Sequence, residues 1–282
     1  MTQAAAISRL WPLISLTTLT MIAFAANSVL NRVALDGDLA GPGAFAAVRV
    51  ASGAVVLGAL TVARGGKLIL SPIGAGSLTL YVLGFSFAYI TLDAGTGALI
   101  LFGGVQVTMF AGALILKERI PPRRWAGAAI AMGGLVWLLW PGQAASPGLG
   151  GLLMMIAALG WGVYSLAGRG AVDPLNLTAA NFVWTVPFAL IAWALVQDGM
   201  TGPGLVLAIL SGAVTSGLGY ALWYRVLPQL GPSRAAVAQL TVPVLAAAGG
   251  FLFLSEDPSA RLVIAGALVL GGVLLSVGER RS

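Results

Sequence analysis

From Leu10 to Val277 the chain is a succession of apolar runs of about 20 residues, the length that takes a helix across the hydrocarbon core of a bilayer. The links between runs are short: Asp36 to Gly41, Arg64 to Pro72, Lys117 to Pro122, Pro141 to Pro147 and Gly199 to Gly202. Ten spans are expected, near 10–32, 42–63, 73–92, 95–116, 123–140, 148–168, 175–197, 203–225, 232–254 and 260–278. No link is long or polar enough to be a soluble domain. Only 9% of residues are charged, against about a quarter in a soluble protein, so no polar coat can be built around a core. The expected fold class is an all-α integral membrane protein, because backbone polar groups in lipid must be satisfied within each segment.

The amino terminus has a second reading. Arg9, the apolar run from Leu10 and Ala23-Phe24-Ala25 resemble a cleavable signal peptide. Against it, Phe24, Asn27, Ser28 and Arg32 recur with the same spacing in mid-chain as Trp161, Tyr164, Ser165 and Arg169. The stretch is therefore retained as a span. Charge sets the orientation. With the amino terminus inside, twelve basic residues (Arg9, Arg64, Lys67, Lys117, Arg119, Arg123, Arg124, Arg169, Arg225, Arg234, Arg280 and Arg281) are cytoplasmic, and only Arg32 and Arg261 face outward. Both termini are expected in the cytoplasm, with the chain a multi-pass protein of a bacterial inner membrane. The net charge of +6 is accounted for in this way and needs no nucleic-acid partner.

The chain also repeats itself. Leu83-Gly84-Phe85-Ser86-Phe87-Ala88-Tyr89 returns 135 residues later as Leu218-Gly219-Tyr220-Ala221-Leu222-Trp223-Tyr224. Pro42 through Arg49 matches Pro174 through Asn181, and Glu118, Gly127 and Gly133 match Asp257, Gly266 and Gly272, each pair 139 apart. Two units follow, 1–142 and 143–282, each of five spans. An odd number of spans sends the second unit in from the opposite side. The expectation is two inverted five-helix repeats around a central cavity, an arrangement that places substrate near the bilayer midplane.

Function must then come from side chains facing that cavity. In the first span Thr17, Thr20, Phe24, Asn27 and Asn31 fall on one face, with Trp161 and Tyr164 among their counterparts in the sixth. Polar groups facing lipid are costly, so this stripe faces the interior, either lining a cavity or bonding neighbouring helices. Tyr81 and Phe85 in the third span, Phe102 and Gln106 in the fourth, Tyr220 in the eighth and Gln239 in the ninth complete the candidates. Their rings suit a flat, partly apolar solute. Gly103, Gly104, Pro243, Gly249 and Gly250 are candidate hinges, since Pro removes a helical hydrogen bond and Gly lowers the cost of bending. Dense packing is the alternative for them.

Charged residues within spans are few, and Arg49 is the clear case. It could meet a substrate carboxylate, although a structural pairing with Asp36, Asp38 or helix-terminal carbonyls is the favoured reading. No acid stands at the midplane as a proton relay. Cys and His are both absent, so no metal site or cofactor is expected, and a membrane-embedded enzyme would be restricted to Ser, Lys or carboxylate chemistry. A channel would show polar rings along a continuous pore, which the sparse stripe does not.

Ala23-Phe24-Ala25-Ala26-Asn27, Pro42 to Arg49, Glu118 followed by Gly127 and Gly134, Gln239-Leu240-Thr241-Val242-Pro243 and Glu256-Asp257 before Gly266 resemble the EamA-type repeat of the drug/metabolite transporter superfamily. The resemblance covers nearly the whole chain, in two copies, and is greatest to the YddG-type exporters of aromatic and other neutral amino acids. It implies a ten-helix basket, the export direction and an amino-acid substrate; alternating access between the inverted halves and a monomer in the lipid bilayer are expected with it. A proton-coupled multidrug or other metabolite exporter is the alternative within the class. Ala25-Ala26 departs from the Trp-Gly that the family often carries there, which Trp161-Gly162 retains in the second copy.

Overall fold

The computed structural model describes residues 3–115, 117, 120–140, 147–168 and 171–277. Its helices are α1 (Gln3–Asp36), α2 (Pro42–Ala63), α3 (Pro72–Ala88), α4 (Ala94–Ile115), α5 (Pro122–Leu139), α6 (Gly148–Ala167), α7 (Pro174–Val196), α8 (Gly202–Ile209), a π-helical segment (Leu210–Leu218), α9 (Gly219–Gln239), α10 (Thr241–Leu254) and α11 (Ala260–Val277). Among the described residues six helical stretches are long and apolar enough to cross a membrane, and Pro72–Ala88, Thr241–Leu254 and Ala260–Leu275 are shorter apolar helices. This is a multi-pass membrane protein. Glu118, Arg119, Arg169, Arg280 and Arg281, used above for repeat and orientation, lie outside the described residues.

Helix starts follow from local chemistry. Pro stands in the first turn of α2, α3, α5, α7 and α8, where its missing N–H costs no hydrogen bond. The Ser71 hydroxyl accepts from the Gly74 N–H, Asp173 from Asn176 and Thr201 from Gly204, each satisfying one orphan donor.

One boundary differs from the sequence expectation. The eighth and ninth spans do not separate near Arg225 to Pro232; α9 continues to Gln239 and the break falls at Leu240. There the Thr241 hydroxyl donates to the Ala238 carbonyl, and Pro243 occupies the first turn of α10. A proline so placed favours a helix start and leaves no interior bond missing.

Helices α3 and α6 lie against each other, as do α2 and α7, α5 and α11, and α4 with both α6 and α10; α1 packs on α9, α10 and the π-helical segment. The α3–α6 contact depends on glycine. A methyl on Gly84 would stand 2.7 Å from the Leu153 carbonyl oxygen, and one on Gly160 2.7 Å from that of Ser77. Backbones approach closely because neither residue has a Cβ.

The connections after α1, α3, α7 and α10 meet at one end of the bundle. Gly41 N–H donates to Gly199 at 2.8 Å, and Thr201 N–H to Leu39 at 2.8 Å. Asp198 accepts from the Gly43 and Ala44 N–H groups at 2.7 and 2.8 Å, capping α2 from the end of α7. Arg32 donates to Glu256 at 3.0 Å and to the carbonyls of Tyr89 and Ile90, and it also pairs with Asp36 at 2.8 Å. Glu256 in turn accepts from the Ala94 N–H at 2.8 Å. This clasp joins the ends of α1, α3 and α10 to the start of α4.

Candidate functional site

A small enclosed cavity of about 20 Å³ lies between α1, α3, α4, α6 and the π-helical region. Phe24, Asn27 and Ser28 line it from α1, Tyr81 and Phe85 from α3, Leu101 and Phe102 from α4, and Trp161 from α6. Thr215 and Tyr220 close it from the π-helical segment and α9. A volume of that size admits about one water. The rings form a continuous chain across four helices. Phe85 stands 5.4 Å from Tyr81, Tyr81 4.9 Å from Trp161, Trp161 4.9 Å from Tyr220, and Tyr220 5.8 Å from Phe24. Each such contact adds about 0.5–1.5 kcal/mol beyond burial, so the closed cavity is held chiefly by aromatic packing.

Asn27 is the polar centre. Its Oδ1 accepts from the Ser211 hydroxyl at 2.6 Å and the Thr215 hydroxyl at 3.1 Å. One turn on, Asn31 Oδ1 accepts from Ser86 at 3.3 Å and its Nδ2 donates to the Asn27 carbonyl. The stripe on α1 therefore does both things its pattern allowed: Phe24 and Asn27 line the cavity, while Asn27 and Asn31 bind neighbouring helices. The amino-terminal part of the stripe behaves differently, since Thr17 and Thr20 donate to the carbonyls four residues before them.

Directly behind Tyr81 and Phe85 lies Arg49, 1% exposed. Its Cζ is 4.8 Å from the Phe85 ring centroid and 5.3 Å from that of Tyr81. Nη2 donates to the Tyr81 hydroxyl at 3.0 Å and Nε to Ser216 Oγ at 3.2 Å, while Nη1 has no partner. The favoured pairing with Asp36 or Asp38 is not found. The ion pairs among the described residues all belong to Arg32, which holds Asp36 itself. The physical reason is distance along the fold: Asp36 terminates α1 at the clasp, whereas Arg49 lies two turns into α2, facing α3 and the π-helical segment. Hydrogen bonds from a charged donor give about 1.5–3 kcal/mol, and each ring contact about 0.5–2 kcal/mol. Set against them is a desolvation penalty of several kcal/mol for a buried ion, and no carboxylate among the described residues offsets it.

The sequence profile of the EamA-like transporter family matches residues 148–278. An uncharacterized protein of Pseudomonas aeruginosa is 46% identical over 275 residues, covering 94% of each chain. The chain belongs to the EamA-like transporter family. It is a transporter. Among relatives of this EamA-like transporter is a Salmonella typhimurium protein described as a "Probable amino-acid metabolite efflux pump", 26% identical over 66% of this chain and 68% of its own length. A solved crystal structure superposes with a TM-score of 0.65 at 24% identity, covering 92% of this chain and 97% of that one. That likeness carries the fold alone.

Of the residues expected at the transporter's site, Phe24, Asn27, Tyr81, Phe85, Phe102, Trp161 and Tyr220 come together at the cavity. Tyr164 stacks on Trp161 at 5.4 Å and bonds Thr178, one layer back. Gln106 is elsewhere, lining a separate cavity with Phe110 and Arg124 between α4, α5 and α11. Gln239 ends α9, beside a groove of about 650 Å³ that Ala238 and Thr241 line with Leu13, Thr17 and Met21 of α1. Among the candidate hinges, α4 runs unbroken through Gly103 and Gly104. Gly103 packs on Leu135 and Val269, Gly104 on Ala158, Gly249 on Val29 and Gly250 on Glu256.

Sequence reading missed Ser28, Leu101, Thr215 and the Ser211 hydroxyl. The last two face Asn27 because the π-helical segment widens each turn, so steps of four and five bring Ser211, Thr215 and Tyr220 onto one face. A run of small and hydroxylated residues, Ser211-Gly212-Ala213-Val214-Thr215-Ser216-Gly217, is the signal available for it.

Proposed function

We propose that this transporter is an inner-membrane permease that exports aromatic and other neutral amino acids and related metabolites by alternating access. The observation that carries the proposal is the ring chain Phe85–Tyr81–Trp161–Tyr220–Phe24, closed around one polar centre at Asn27. An aromatic solute replaces ring–ring contacts with ring–solute contacts of the same kind. Its amino group meets the Asn27, Ser28 and Thr215 oxygens. The efflux-pump description of the Salmonella relative supports the direction and the substrate class.

In this reading residues 1–142 and 143–282 are inverted repeats. The self-matched contacts of α2 with α7, α4 with α10 and α5 with α11 support it, since a two-fold axis in the membrane plane pairs each of these helices with its own counterpart. The Arg32–Glu256 clasp closes the outer face. The groove lined by Leu13, Thr17 and Met21 approaches Phe24 from the opposite, cytoplasmic side, with both termini there. Solute enters from the cytoplasm, the rings part around it, and the clasp opens to release it. The carrier works as a monomer without a buried proton-relay carboxylate.

The test is uptake by liposomes containing the full chain, across a panel of amino acids with and without an imposed pH gradient. Flux of phenylalanine and tryptophan that is insensitive to the gradient is the expected result. Silence across the panel alongside movement of cationic drugs overturns the reading in favour of drug export, and amino-acid flux that requires a proton gradient overturns the uncoupled mechanism in favour of proton-coupled metabolite export.

A further inference from the structure

The geometry points to Arg49 as the carboxylate-binding residue of the central cavity, so that the transported solute is selected for a carboxylate as well as a ring. The inference rests on the cavity being the transport site. Arg49 is fully buried, and no acid among the described residues pairs with it: Asp36 and Glu256 are held by Arg32, and Asp198 by the α2 amino terminus. Nη1 has no partner, and Nη2 is satisfied only by the neutral hydroxyl of Tyr81, whose ring lines the cavity. A cavity of about 20 Å³ cannot take an amino acid unless Tyr81 and its neighbours move. When Tyr81 moves, both Nη atoms are left as a two-pronged donor facing the space it vacates. A carboxylate matches that fork with two parallel charge-assisted bonds and supplies the missing counter-charge. Nε stays on Ser216, which keeps the guanidinium plane fixed by the π-helical segment. The Tyr81 hydroxyl is thus a stand-in for the solute's carboxylate.

Ligand-induced thermal shifts of the purified full chain test this with four probes: phenylalanine, 3-phenylpropionate, phenylalaninamide and phenethylamine. Wild type is expected to bind the two acids at least about tenfold more tightly than the amide and the amine. In Arg49→Gln that preference is expected to vanish while phenethylamine binding stays within about twofold of wild type. Arg49→Lys, which keeps the charge and loses the fork, is expected to retain a reduced preference. An Arg49→Gln protein that elutes as wild type does and still prefers the acids overturns the assignment. If Arg49→Gln does not fold, Arg49→Lys decides, and an unchanged preference there overturns it equally. Wild type binding all four probes alike defeats the Arg49 assignment and leaves the aromatic-solute reading standing. Wild type binding none of them defeats both.

Discussion

Asn27 accepts two hydroxyl hydrogens from a segment 184 and 188 residues away in sequence, so its amide ties α1 to the π-helical segment inside an apolar bundle. Replacing it by Leu keeps the volume and strands the Ser211 hydroxyl. An Asn27→Leu variant is expected to lose about 1–3 kcal/mol of stability, seen as a lowered Tm. Thr215→Val is expected to cost less, since Ser211 still satisfies the Asn27 oxygen. Equal losses would contradict the assignment of Asn27 as the shared acceptor. Glu256 yields a pH dependence. Burial raises its carboxyl above the ordinary 4.5, outweighing the Ala94 N–H and Arg32, which favour its charge; Asp93 adds to the rise. The folded chain therefore holds this proton more tightly than the unfolded chain. Its contribution is full below pH 4.5 and is lost as pH rises through the raised value. The Tm difference between wild type and Glu256→Gln should shift in wild type's disfavour across that window and be flat above it. A difference independent of pH would contradict this.

At the scale of the helix, glycine contacts distinguish packing from bending. A methyl on Gly104 would stand 2.7 Å from the Ala158 Cβ, which cannot yield, whereas one on Gly103 meets only the ends of Leu135 and Val269 at 3.0 Å. Gly104→Ala is expected to cost about 1–3 kcal/mol and Gly103→Ala clearly less, read by thermal unfolding. If the pair acts as a hinge, both variants slow transport while leaving phenylalanine binding largely intact, and unchanged flux would count against that role. Much of the helix layout was legible in the sequence. Apolar run length with Pro at the starts gave α2 and α7 almost to the residue, because Pro42 and Pro174 are fixed points for a helix start. The α1 stripe was readable as a 3.6-residue period. The face carrying Ser211 and Thr215 was not, since a π-helical turn breaks that period and the run of small and hydroxylated residues from Ser211 to Gly217 marks the segment without giving its phase. Nor was the Arg49 environment, which depends on which helix packs beside α2, and periodicity is silent on that. Gln106 and Gln239 look like cavity residues by type, yet one lies too near the α5 side of α4 and the other at the end of α9.

Over the whole molecule, the small cavity is lined from α1, α3, α4, α6, the π-helical segment and α9, and in the proposed transport cycle the Arg32–Glu256 clasp is its outer closure. Arg32→Gln is expected to loosen that face, raising the accessibility of cavity residues from outside while leaving the helix content unchanged. The natural chain has no Cys, so single cysteines can be introduced without background. The most direct measurement is labelling of Ser28→Cys, a cavity position, by a membrane-impermeant thiol reagent applied separately to each face of oriented vesicles. Reaction from both faces is expected, with protection from both by phenylalanine. Reaction from one face only, or from neither, would contradict a site that alternates between the two sides of the membrane.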